Sequence, residues 1–457
     1  MLFSGPDRNH QPPPRVAQSD TAPTEPTPQN LSNTEVKERW KVDPHLDPGS
    51  LELGKINPGH GDYLEANTIM GLFNRLHKEA PVHLTEESQF GPYWNITGFD
   101  AIKAVDTQPD LFSSDALNGG IRLGGQRLEE PDETMTLPMF IMQDAPIHDE
   151  QRKVVAPMFT PRTLATFETL IRSRAADILD ELPRGEDFDW VKQVSVDLTS
   201  RMLATLFDVP QEDRYKLIHW SDTVERLTDP DYFDTPEEGM QEIWGCFEYF
   251  SGAWSERSGQ SEPGLDLISF LANGEATKNM PPNEFLGNVL LLIVAGNDTT
   301  RNSISAGVLG LNKFPEEYDK LRANPDLIPN MVPEIIRWHS PVAHMCRTAM
   351  ADTEIDGHKI SKWDRVCMWY LAGNHDKNKI DDPGRLMIDR KNARQHLGFG
   401  FGIHRCLGNR LAELQLRVLW EEVMKRFKQV EVVGEAKYLN SSFIHGITEL
   451  PVRVHDR

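Results

Sequence analysis

Phe399-Gly400-Phe401-Gly402-Ile403-His404-Arg405-Cys406-Leu407-Gly408 is the stretch on which the reading of this sequence turns. Leu407, Leu411, Leu414 and Leu416 follow, with Arg410, Glu413 and Arg417 between them, a helical pattern over 407–426. Cys406 therefore stands at or just before a helix amino-terminus. Unpaired backbone N–H groups and the positive end of the helix dipole stabilise a thiolate there. The glycines let the backbone come close to a flat ligand and donate to the sulfur. Phe399 is placed to pack on the same ligand. A buried cysteine in a glycine-rich turn is the plainer alternative, and for a bare cysteine it would be preferred. The other cysteines, Cys246, Cys346 and Cys367, are far apart and form no CxxC pair, which speaks against zinc or iron–sulfur ligation.

Working outward, the apolar run 289–295 leads into Gly296-Asn297-Asp298-Thr299-Thr300-Arg301. The pattern predicts a helix over 283–313, roughly 45 Å long at about 1.5 Å per residue, enough to cross a domain. Polar residues in the middle of such a helix are costly unless used. Thr299 is four residues after Ala295, so its hydroxyl can bond that carbonyl and open the helix locally. Further helices are expected over 63–79, 163–181 and 191–207, and short strands at 82–84, 93–96, 366–369 and 451–454. Helix outweighs strand and no βαβ rhythm appears, so a Rossmann or barrel architecture fits poorly. Gly119-Gly120 and Gly124-Gly125 punctuate an irregular loop over 112–139.

A sulfur presented in this way suits axial donation to haem iron. Phe399, Gly402, Cys406 and Gly408 resemble the haem-binding loop of the cytochrome P-450 superfamily, and supporting motifs cover most of 60–457. The resemblance implies a mainly α fold with a small β subdomain and a long central helix over a buried haem b. Cys406 would be the iron ligand, with Phe399 and Gly408 beside it. Asp298 and Thr299 would be the acid–alcohol pair that delivers protons during dioxygen activation. His148, Arg152, Arg347 and His404 would hold the haem propionates, which need cationic or hydrogen-bonding partners. Glu334 and Arg337, joined by Arg390, would be a structural ion-pair group. Leu386 stands where the family more often has Phe.

The stretches 294–303, 331–338, 400–421, 90–94 and 201–207 look like the bacterial branch that hydroxylates the end carbon of alkanes and fatty acids. That branch takes electrons from a ferredoxin and its NAD(P)H-dependent reductase. Departures fall at Cys346, where Arg is more usual, and at Ser442–Ile447, where an Arg and a Tyr are more usual. By position, Leu117, Leu123, Leu291, Val294, Val342, Met345 and Ile444 would line the substrate pocket, with Arg122 as a candidate carboxylate anchor. Plain core packing is the competing reading for each. The expected activity is oxygen insertion into an unactivated C–H bond of an apolar small molecule, a medium-chain alkane or fatty acid. A terpenoid hydroxylase, a peroxide-driven hydroxylase and a non-catalytic haem sensor are the alternatives. The last two would not need both Asp298 and Thr299.

Composition bounds the rest. With 48 Lys and Arg against 70 Asp and Glu, the net charge of −22 argues against a nucleic-acid binder. No apolar run approaches membrane-spanning length and no secretory signal is evident, so a cytoplasmic protein without stable membrane insertion is expected. Residues 1–33 hold seven prolines among Ser, Thr, Gln and Asn and read as a disordered tail. A single haem domain is expected over 34–457.

Overall fold

The computed structural model describes residues 32–128, 137–227, 229, 231–260 and 264–457. Its backbone is mainly helical. The helix Pro282–Lys313 runs through the centre, starting with a proline in its first turn and reaching Phe314 just before Pro315. Around it pack Asp197–Leu206, Arg214–Glu225, Pro236–Arg257, Ile328–His339 and Asn409–Arg426, and Pro161–Glu181 lies against the last of these. Phe285, Leu286, Val289, Leu290, Leu292 and Ile293 of the central helix sit in one apolar core. Ile304, Ala306, Val308 and Leu311 sit in a second. The interruption between the two cores falls on the polar run 296–303.

The β structure is small. Val82–Thr85, Tyr93–Ile96, Arg365–Met368, Met345–Ala349 and Phe112–Ser113 form a five-stranded sheet in that order, antiparallel except where Tyr93–Ile96 pairs with Arg365–Met368. Pro451–Asp456 lies between Phe188–Asp189 and Phe427–Val432 in a second sheet. Among the described residues no helix is long and apolar enough to cross a membrane.

Three expectations are corrected. The helix expected over 63–79 divides into Gly61–Glu65 and Ile69–Glu79, because Asn67 takes a left-handed φ of 54° between them. The pattern over 191–207 begins as a π-helix, Val191–Val196, before becoming α at Asp197–Leu206. The proposed tail boundary at residue 33 falls inside the folded chain. Ser32 and Glu35 cap the helix Asn33–Arg39 reciprocally, and the Asn33 amide donates to the Leu227 and Phe233 carbonyls at 3.1 and 2.9 Å. The rest of that segment, 1–31, and part of the loop, 129–136, lie outside the described residues.

Candidate functional site

The cysteine loop is built by glycine geometry and one buried aspartate. Gly400 and Gly402 have φ of 62° and 65°, and a Cβ on Gly402 would lie 2.2 Å from the Asp106 carbonyl oxygen. Asp106 accepts from Phe401 N–H at 2.7 Å, Tyr370 O–H at 2.9 Å and Arg347 Nη2 at 2.8 Å. Cys406 N–H donates to the Phe399 carbonyl at 2.8 Å, closing the loop. The helix Asn409–Arg426 begins three residues after the sulfur. Burial pushes the Cys406 thiol pKa up, opposed by backbone N–H groups of Gly408 and Asn409 and by the charges of Arg152 and Arg405. Cys406 keeps accessible surface although protein surrounds it closely.

The four expected propionate partners come together. His148 is fully buried in the helix Ile147–Val155, and its ring lies 4.2 Å from that of His404. Arg152 donates to the Arg405 carbonyl, next to Cys406. The His404 pKa is lowered to about 2 by burial first, then by Arg347, His148 and Arg152. His148 Nε2 and both ring nitrogens of His404 are buried without a hydrogen-bond partner. Three orphaned ring nitrogens beside two guanidinium groups are what a doubly anionic ligand would satisfy. The donor set thus fits haem b, with Cys406 for its iron and this cluster for its carboxylates.

On the central helix the Thr299 hydroxyl donates to the Ala295 carbonyl at 3.0 Å, as its spacing predicted. Ala295 is exposed and Thr299 half-buried, in a helix otherwise enclosed by two cores. Asp298 points elsewhere and is fully buried. It accepts from Ser221 Oγ at 3.0 Å and pairs with Arg301 at 2.6 Å. Arg301 also reaches Asp222 at 3.0 Å. Burial raises the Asp298 pKa to about 7, outweighing the opposing pull of Arg301. A solvated outer face for this run is excluded, because Asn297, Asp298, Thr300, Asn302 and Ser303 are all buried.

Glu334, Arg337 and Arg390 form the expected group. Arg337 meets Glu334 with two bonds of 2.8 Å, and Arg390 Nε lies 3.0 Å from both carboxylate oxygens. Arg337 also donates to the carbonyls of Asn374, Pro383 and Arg385 at 2.9, 2.8 and 3.0 Å. The triad thereby fixes the segment leading into the cysteine loop.

Among the pocket candidates, Val342 bridges Ile444, and Met345 packs on the same small cluster with Leu439 and Phe443. Leu117, Leu291 and Val294 are half-buried. Leu123 is instead part of a core with Ile56, Tyr63 and Trp369. The anchor expected at Arg122 is also corrected. Its guanidinium pairs with Glu225, whose side chain is only 2% exposed, and lies 4.2 Å from the Phe443 ring centre. Ser221, Asp222 and Glu225, on the helix Arg214–Glu225, were not found from sequence, since nothing local distinguishes them from a packing face. Arg301 was findable, one turn from Asp298 inside the quoted run.

A family model described as Cytochrome P450 matches residues 132–441. Linalool 8-monooxygenase of Pseudomonas putida is 37% identical over 385 residues, covering 83% of this chain and 94% of that protein. A methyl-branched lipid omega-hydroxylase of Mycobacterium tuberculosis is 31% identical over 419 residues, covering 89% and 96%. The solved structure of cytochrome P450-153 from Novosphingobium aromaticivorans is 41% identical, with a TM-score of 0.82 over 87% of this chain and 99% of that one.

Proposed function

The chain belongs to the cytochrome P450 family and is a haem b monooxygenase; from that premise, we propose that it hydroxylates the terminal carbon of an uncharged apolar chain. Bound haem supplies the activation of O2 and the transfer of one oxygen atom to a C–H bond. The remaining parts fall to residues of this chain. Cys406 ligates iron as the thiolate, held by the N–H groups of Gly408 and Asn409 and eased toward ionisation by Arg152 and Arg405. His148, Arg152, Arg347 and His404 hold the two propionates. Thr299, bonded to Ala295, keeps a hydroxyl on the turn of the central helix where Ala295 is exposed. Asp298, with a pKa of about 7, exchanges protons with the Ser221 hydroxyl and must turn from Arg301 to pass them toward Thr299, while Arg301, which stays charged, ties it to the half-exposed Asp222.

The observation that carries the substrate reading is the pairing of Arg122 with Glu225. The one cation among the expected pocket residues is already neutralised, and Val342, Met345 and Ile444 beside Phe443 are apolar. An alkane end fits this lining, whereas a fatty-acid carboxylate would compete with Glu225. A second reading, an acyclic terpene alcohol, is favoured by the 37% identity to linalool 8-monooxygenase. For electron supply, Lys153, Arg405 and Arg410 are exposed around the cysteine loop and offer a basic spot to an acidic ferredoxin served by an NAD(P)H-dependent reductase. Residues 32–457 form the single haem domain in this reading.

Product analysis with a surrogate ferredoxin system tests it, offering n-octane, a medium-chain fatty acid and linalool separately. The expected products are terminal alcohols from the uncharged chains. Preferential oxidation of the fatty acid would overturn the proposal, and oxidation of linalool alone would favour the second reading.

A further inference from the structure

His344, Cys346 and Cys367 converge inside the core behind the five-stranded sheet, and we infer that they form a three-coordinate site for a soft monovalent metal ion, Cu(I). Cys346 and Cys367 are direct cross-strand partners. The Cys346 N–H donates to the Ile121 carbonyl at 2.7 Å, and its own carbonyl accepts from Arg347 Nη1 at 2.8 Å. Neither backbone group is exchanged with Cys367. Such non-hydrogen-bonded pairs bring opposite side chains closest, with Cα atoms about 4.5 Å apart. His344, two residues before Cys346, shares the face of the chain on which that thiol lies. One donor atom from each of the three lies within 4.8 Å of the others.

The second observation is His344 itself. It is fully buried against Trp369, 4.8 Å between ring centres, and Phe443, 5.5 Å. Its ring nitrogens have no nitrogen or oxygen partner, and the polar group beside them is the Cys346 thiol. A thiol is only a weak hydrogen-bonding partner for a buried ring nitrogen, and coordination would replace that contact with a stronger one.

The number and kind of donors select the ion. All three residues are 0% exposed, and no fourth His, Cys, Asp or Glu joins them among the described residues. Structural zinc takes four ligands, whereas thiolates select Cu(I), which a closed set of three can hold. Uptake exchanges one Cu(I) for the two thiol protons, which leave to solvent. The resulting single negative charge is offset by Arg365, whose charge acts on both sulfurs. Arg347, the next residue along the strand, points to the opposite face, so the haem cluster is not involved.

The test uses the haem-loaded, full-length enzyme, titrated without oxygen against Cu(I) held by the chelator bicinchoninate. One equivalent of copper per chain should leave the chelator, and near-ultraviolet thiolate-to-copper absorption should appear. Both should be lost in Cys346→Ala and in Cys367→Ala and kept in Cys246→Ala. His344→Phe removes a ligand and should weaken binding by more than the roughly 100-fold that loss of an outer-shell partner costs at most. The reduced carbonyl spectrum, unchanged in all four variants, separates loss of the site from loss of the fold. No copper uptake by the parent protein, or equal uptake by Cys346→Ala, would overturn the inference. So would one equivalent of tightly held zinc in its place, or a mass lower by two hydrogens, which marks a Cys346–Cys367 disulfide.

Discussion

Replacing Glu225 by Gln should convert this enzyme toward fatty acids. Glu225 pairs with Arg122 beside Phe443, at the end of the apolar cluster that contains Val342, Met345 and Ile444. The amide keeps the shape of the side chain and removes its charge, leaving the guanidinium to a ligand. A charge-assisted hydrogen bond contributes about 1.5–3 kcal/mol. The Arg122 side chain is 36% exposed, so solvent screening favours the lower end of that range. About 1.5 kcal/mol corresponds to roughly tenfold tighter binding of a medium-chain fatty acid. The affinity for an alkane of equal length should not change. Titration of the haem absorption band with each ligand, in parent and variant, measures both. An unchanged fatty-acid affinity in the variant would refute the reasoning, as would a parent enzyme that already binds the acid more tightly than the alkane.

Thr299→Ala should divert turnover from alcohol to released peroxide, lowering product per NAD(P)H by about 10²-fold or more if the hydroxyl carries the proton transfer; product and peroxide assays measure the split. Because burial raises the Asp298 pKa to about 7, its protonated, donating form is lost above that pH. The turnover rate should therefore fall on the alkaline side of about pH 7, and Asp298→Asn should remove that limb from the pH–rate profile. The same raised pKa means that the folded state binds this proton more tightly than the unfolded one, so stability is lost as pH rises from about 4 toward about 7. Arg337→Ala leaves the fully buried Glu334 with only Arg390 and the Met387 N–H, and strands the carbonyls of Asn374 and Pro383. A loss of about 3–5 kcal/mol is expected, read as a lower denaturation midpoint and poor haem incorporation.

Much of this was legible because it rests on local pattern. The glycine-rich run before a helix placed Cys406, and the Thr299-to-Ala295 bond follows from a spacing of four. The Glu334–Arg337–Arg390 group and the His148–Arg152–Arg347–His404 cluster came through resemblance, since residues so far apart in sequence carry no local sign of meeting. Where tertiary partners decide, sequence was silent. Arg122 looked free because Glu225 lies on a helix distant in sequence, and Leu123 looked like pocket lining because its core partners, Ile56, Tyr63 and Trp369, are distant too. Asp106 stitches the cysteine loop to Arg347 and Tyr370, yet it is one acid at the end of an ordinary short helix. The helix break at Asn67 was missed because an asparagine in a left-handed turn leaves the apolar periodicity on either side intact.

The central claim is that the Cys406 thiolate holds the haem iron. The absorption spectrum of the reduced carbonyl complex tests it most directly, compared between the parent protein and Cys406→Ala reconstituted with haem. The parent should show the red-shifted band of a thiolate-ligated haem and the variant should lack it, with Cys246→Ala unaffected. Persistence of that band in Cys406→Ala would contradict the account.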